Sequence, residues 1–166
     1  MVEPAGVTGT VAAQIAGLLK SRNHTLAVVE SSAGGLINAA LVAVPGASAF
    51  YLGGCVVYTA ASREGLLGLS ALNLSGIRSA SEPYASLIAE RVRAKLGATW
   101  GLSETGASGP SGNRYGDAAG HACIAVAGPV ERVMTLETGV VDRESNMWAF
   151  TRAALKLLED AMRAAG

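Results

Sequence analysis

The chain has 166 residues, enough to bury a full hydrophobic core within one domain, and half of them are hydrophobic. Only 16% are charged, which excludes a disordered chain, and 13 basic residues balance 13 acidic ones. That balance gives no net field to hold nucleic acid or an anionic membrane, although a locally basic site stays compatible with it.

Residues Met1 to Thr10 show no basic stretch followed by an apolar one, so no secretory signal is expected. Val7, Val11, Ile15, Leu18 and Leu19 recur at helical spacing and predict a first amphipathic helix ending near Asn23-His24. The apolar run from Thr25 to Val29 predicts a buried strand, which stops at Glu30-Ser31-Ser32-Ala33-Gly34-Gly35. A helix is expected from Leu36 to Val44. Such a strand–glycine turn–helix unit directs backbone N–H groups and the positive end of a helix dipole at one spot, a place for an anionic ligand.

From Ser31 to Ser62 no side chain is charged, but Pro45-Gly46 and Gly53-Gly54 divide the interval into pieces too short to cross a bilayer. Phe50 to Thr59 reads as a strand with a Gly-Gly irregularity, and Ala60 to Leu67 as a short helix. A loop is expected from Gly68 to Ala80. Ser81-Glu82-Pro83 then supplies an N-cap, an acidic first turn and an early proline for a helix running to Leu96 and stopping at Gly97. Thr99 to Ser103 reads as a strand leading into the glycine-rich Thr105–Asn113. His121–Ala127 and Val130–Glu137 predict a hairpin turning at Gly128-Pro129. The last helix, roughly Ser145 to Ala164, should bury Phe150, Ala154, Leu157, Leu158 and Ala161.

Interleaved helices and strands predict a single α/β domain over residues 1–166. It is expected to be a three-layer α/β/α sandwich with a mixed, mostly parallel sheet. Ligands of open α/β sheets collect at the carboxyl ends of strands, so the two glycine-rich segments are expected to line one pocket. Ser31, Ser32, Thr105, Ser108, Ser111 and Asn113 surround it with small polar groups, which suits a phosphorylated or otherwise polar small molecule. Ser31 is a candidate nucleophile, yet no Gly-x-Ser-x-Gly elbow surrounds it. Glu30 can orient a partner, act as a base or cap the following helix. His24, His121, Cys55 and Cys123 read as structural, and the Cys and His spacing matches no metal site. Two buried, reduced thiols fit a cytoplasmic protein.

Four segments together resemble the C-terminal domain of the competence/damage-inducible CinA family, which also occurs as stand-alone nicotinamide-nucleotide amidases. The family pattern is roughly A-E-S-C-T-G-G, V-P-G-S-S, G-G-x-x-x-Y-S-N-x-x-K and T-G-I-A-G-P. It is matched by Val29–Gly35, Val44–Ser48, Gly53-Gly54 with Tyr58-Thr59-Ala60, and Thr105–Pro110. The resemblance implies an α/β/α fold assembled as a homo-oligomer. It also implies an activity without cofactor or metal: hydrolysis of the carboxamide of nicotinamide mononucleotide to nicotinate mononucleotide and ammonia. It implies Ser31, Arg63 and Thr105 at the catalytic positions. For the nucleotide substrate it implies Glu30, Ser32, Ala33, Gly34, Gly35, Tyr58, Gly106, Gly109, Asn113 and Arg143.

The chain departs from the pattern at several places. Counted from Tyr58, Arg63 stands where the family has lysine, and a guanidinium does not give up its proton as a desolvated lysine can. It can still bind an anion bidentately or stabilise an oxyanion. Ser32 and Ala33 replace a cysteine and a threonine, Met147 stands where a second arginine is expected after Asp142-Arg143, and Asn113–Asp117 replaces a lysine-containing link. Two readings follow: an amidohydrolase, or a catalytically silent nucleotide-binding or regulatory module on the same fold.

Overall fold

The computed structural model describes residues 6–166. Met1 to Ala5, half of the segment read for a secretory signal, and the side chain of Val7 lie outside that description.

Helix α1 (Val7–Ser21) buries Ala12, Ile15, Ala16 and Leu19, one stripe at helical spacing. Strand β1 (Leu26–Glu30) is buried at every position, as expected for an uncharged run between two helical layers. Helix α2 (Leu36–Val42), a 3₁₀ turn (Ala47–Ala49) and strand β2 (Tyr51–Val56) follow. A reciprocal cap between Thr59 and Ser62 starts helix α3 (Ala60–Leu67). Within the expected loop, Ser70 and Asn73 cap a four-residue helix α4 (Ala71–Leu74). Helix α5 (Glu82–Leu96) starts at Ser81, whose hydroxyl accepts from the Tyr84 N–H, and ends at Gly97 with φ 65°.

Strand β3 runs from Trp100 to Ala107, further than the sequence predicts, so Thr105 and Gly106 belong to the strand and not to the loop after it. Strands β4 (His121–Ala127) and β5 (Arg132–Glu137) form the expected hairpin. Helix α6 (Arg143–Ala164) begins two residues early because the Asp142 carboxylate accepts from the Ser145 N–H.

The five strands form one mixed sheet in the order β2-β1-β3-β4-β5. β1 runs parallel to β2 and β3, and β4 is antiparallel to both β3 and β5, so parallel and antiparallel pairings are equal in number. Leu26 and Val28 face a core shared with α1, α2 and α6 through Ile15, Leu19, Ile37, Leu41, Phe150 and Leu158. Ala27 and Val29 face the opposite side, against Tyr84, Ile88 and Val92 of α5. Each fully buried leucine, isoleucine or phenylalanine stabilises this three-layer arrangement by about 1.5–3 kcal/mol.

The topology also positions the site. Parallel β1, β2 and β3 end at one edge of the sheet. The register places His121 beside Ala107 and Glu137 beside His121, so the start of β4 and the end of β5 join that edge. No helix among the described residues is long and apolar enough to cross a membrane.

Candidate functional site

A cleft opens over this carboxyl edge in two adjoining compartments. The first, of about 340 Å³, is lined by Ser31, Arg63, Tyr84, Thr105, Arg114 and Tyr115 among others. The second, of about 260 Å³, is lined by Ser32, Ser108, Gly109, Ser111, Gly112 and Arg143. Tyr58, Gly106 and Asn113 line both. Gly106 is required there, because a Cβ on it would collide with the His121 carbonyl of the paired strand. Among the described residues no carboxylate lines either compartment, while Arg63, Arg114 and Arg143 do.

Ser31 and Ser32 bring this turn into the cleft wall, but the N–H groups of Ser31, Ala33 and Gly35 turn to the chain's own carboxyls and not, as the sequence suggests, to a ligand. Glu104 Oε2 accepts from Ser31 N–H at 3.0 Å and Ala33 N–H at 2.8 Å, and Oε1 accepts from Ser32 Oγ. Glu30 accepts from Gly35 N–H at 2.9 Å and from both the backbone and side-chain N–H of Asn38 at 2.6 Å. Gly34 N–H bonds to the Ser31 carbonyl. The chain's own carboxylates therefore occupy this turn in place of an anionic ligand, and α2 with its seven residues adds little dipole.

Both carboxyls are fully buried. Burial pushes the Glu30 carboxyl above its ordinary range against the pull of its N–H donors. Burial likewise pushes Glu104 up to about 7, opposed by Ser32, Ala33 and Ser31.

Thr105 Oγ1 accepts from the Ala80 N–H at 3.2 Å. Ala80 lines the cleft in a left-handed conformation, φ 55°, that a non-glycine residue rarely adopts. Its carbonyl accepts from His121 Nε2 at 2.9 Å and from Arg78 Nη1 at 3.3 Å. Arg78 also grips Asp117 through two N–H bonds of 2.6 and 3.1 Å. Asp117 in turn accepts from Asn113 Nδ2 at 2.8 Å and so holds one rim of the cleft. Arg63 is anchored by its Nε, which donates to the Leu69 carbonyl at 2.9 Å.

In the second compartment Arg143 donates to the Gly109 carbonyl at 2.6 Å and to Tyr58 Oη at 2.8 Å. The Ser108 hydroxyl there is buried and makes no hydrogen bond among the described residues. Met147 lies against Gly34, within 2.9 Å of where a Cβ on that residue would stand.

Of the residues expected at the site, Ser31, Arg63 and Thr105 line the first compartment together. Ser32, Gly109 and Arg143 line the second, and Tyr58, Gly106 and Asn113 both. Glu30, Ala33, Gly34 and Gly35 line neither. They build the turn from behind, with Glu30 as the internal acceptor that caps α2. His24 Nδ1 accepts from Trp100 Nε1 at 3.2 Å, a structural contact, and Cys55 and Cys123 are free thiols. Sequence reasoning missed Glu104, Ala80 and Tyr84. Glu104 did leave a signal: it is the one charged side chain in the strand Trp100–Ala107.

Comparison with known proteins agrees with this architecture. The model of the CinA C-terminal domain matches residues 8–162. A CinA-like protein of Gloeobacter violaceus is 39% identical over 153 residues, covering 90% of this chain and 35% of the relative. One of Anaeromyxobacter dehalogenans is 40% identical over 147 residues, covering 87% and 36%. The chain thus spans about a third of the length of these curated relatives. Among solved structures, competence damage-inducible protein A of Klebsiella pneumoniae superposes with a TM-score of 0.88 at 26% identity, over 95% of this chain and 98% of that one. The competence/damage-inducible protein of Agrobacterium tumefaciens gives 0.86 at 25% identity, over 98% and 99%. With the family model matching residues 8–162 and relatives 39% and 40% identical over most of its length, the chain belongs to the family of CinA C-terminal domains.

Proposed function

We propose that this domain hydrolyses the carboxamide of nicotinamide mononucleotide, giving nicotinate mononucleotide and ammonia. The observation that carries the reading is the convergence of Ser31, Arg63 and Thr105 in one compartment, from three separate elements. The charge of the cleft supports it too. Among the described residues three arginines and no carboxylate line the two compartments, which suits a substrate with a phosphate.

In this reading Ser31 Oγ attacks the amide carbon and gives up its proton, while the C–N bond breaks and ammonia leaves with the proton returned to it. Water then cleaves the resulting ester. The fixed charge of Arg63 stabilises the oxyanion that forms on the carbonyl oxygen. Arg63 stays protonated throughout and cannot be the base.

That same residue favours the second reading, a nucleotide-binding or regulatory module without turnover. A guanidinium anchored on the Leu69 carbonyl binds an anion well and removes a proton poorly. Incubating the purified protein with nicotinamide mononucleotide and measuring released ammonia decides between them. The amidase reading expects ammonia from the parent protein and none from Ser31→Ala. A parent that releases none, with activity appearing in Arg63→Lys, identifies the silent module instead.

A further inference from the structure

Glu104 is a fully buried carboxyl with three convergent donors and no cation. Neither it nor Glu30 makes an ion pair among the described residues. Its two oxygens are not equivalent. Oε2 holds two backbone N–H groups, from Ser31 and Ala33, and those donors cannot reverse. Oε1 faces one hydroxyl, Ser32 Oγ, and a hydroxyl can either donate or accept. A proton arriving at Glu104 therefore goes to Oε1, because an O–H at Oε2 would confront two N–H donors.

We propose that Glu104 and Ser32 form a proton-responsive pair that sets the hydrogen-bonding sense of the second compartment. With Glu104 charged, Ser32 spends its only proton on Oε1, and the hydroxyl offers lone pairs alone. When Oε1 gains a proton, that new O–H becomes the donor, Ser32 Oγ accepts from it, and the Ser32 proton is released for another partner. Ser32 lines the compartment that also holds Arg143 and the unpaired Ser108 hydroxyl, so the change alters a wall of the cleft. The N–H bonds of Ser31 and Ala33 persist in both states but weaken when the acceptor loses its charge.

The titratable group facing Glu104 is Glu30 on the neighbouring strand β1, whose charge favours keeping one proton between the two. Tyr51 and Cys55 on β2 feel Glu30 as well. Burial places the Glu104 transition at about 7, so the pair changes state near neutrality. The pair itself is independent of any activity. Only its consequence for turnover rests on the amidase reading.

Carbon-13 NMR of glutamate carboxyls, with nitrogen-15 amide spectra, tests it on the free protein between about pH 5 and 9. A carboxyl resonance with a midpoint near 7 is expected, absent in Glu104→Gln, with the Ser31 and Ala33 amides following the same midpoint. In Ser32→Ala the charged form loses a donor, so the midpoint moves upward by roughly 1 in pH. Should Glu104→Gln not fold, the parent and Ser32→Ala decide, because only the carboxyl bonded to Ser32 responds. Amides that stay flat through the carboxyl titration, or a midpoint indifferent to Ser32→Ala, overturn the pair. A protein that shows this titration yet releases no ammonia overturns the amidase reading alone.

Discussion

Arg143 and Tyr58 meet across the cleft, guanidinium Nη2 to phenol oxygen at 2.8 Å, although 85 residues separate them in the chain. With Nη1 on the Gly109 carbonyl at 2.6 Å, one side chain at the first position of α6 ties the segment after β2 to the glycine-rich loop after β3. The strap forms because Asp142 caps α6 and fixes where Arg143 projects.

Under the proposed amidase function, replacing Arg143 with alanine should therefore weaken substrate binding more than it slows turnover. The loss of charge-assisted hydrogen bonds predicts a KM raised about 10- to 100-fold, with a smaller change in kcat. Arg143→Lys recovers only part of this, since an ammonium does not bridge two fixed acceptors as a planar guanidinium does. Steady-state kinetics on both variants check it, and an unchanged KM in Arg143→Ala removes this residue from the binding site.

Glu30 is expected to matter for stability before chemistry. Its carboxyl is buried and satisfies three donors at the start of α2. Truncation in Glu30→Ala strands them, and at roughly 1–3 kcal/mol for each buried unsatisfied group the loss should reach at least ~3 kcal/mol. Urea unfolding monitored by circular dichroism measures this. A variant with parental stability and abolished activity would instead make Glu30 part of the reaction.

His121 predicts a pH dependence with a definite sign. Nδ1 faces the Glu137 carboxylate and Nε2 the Ala80 carbonyl; both are acceptors, so only the imidazolium satisfies both. Burial opposes that charge, but the Glu137 and Ala80 hydrogen bonds and nearby Asp117 outweigh it and raise the pKa above 6.5. A group raised on folding contributes fully below its unfolded value and loses that contribution as pH rises through the folded one. Stability should thus fall as pH climbs above 6.5, and His121→Gln should flatten the fall. Denaturation midpoints across this range, in parent and variant, are the measurement. Because Ala80 donates to Thr105, the same loss loosens one wall of the cleft.

Much of the fold was legible because its signals are local. The cap at Ser81, the left-handed stop at Gly97 and the apolar stripe of α6 depend on residues within one or two turns of each other. Helix α4 was not legible, since four residues between Ser70 and Ser75 leave no periodicity to read. The extra length of β3 was missed for another reason: Thr105 and Gly106 look like loop residues, and only pairing with β4 makes them strand.

The amino-acid sequence by itself determined the order of the strands and of every helix but α4, the two glycine-rich segments at the sheet edge and, through family resemblance, the choice of Ser31, Arg63 and Thr105 as candidate site residues. Tertiary structure alone decided what the first segment does. Local chemistry offers the N–H groups of this turn to any anion, and two carboxyls of the same chain take those of Ser31, Ala33 and Gly35. Glu30 takes the Gly35 N–H from five residues away, and Glu104 takes those of Ser31 and Ala33 from more than 70. No local rule brings Glu104 there. It arrives because β3 pairs with β1, and that pairing follows from burying both faces of the sheet.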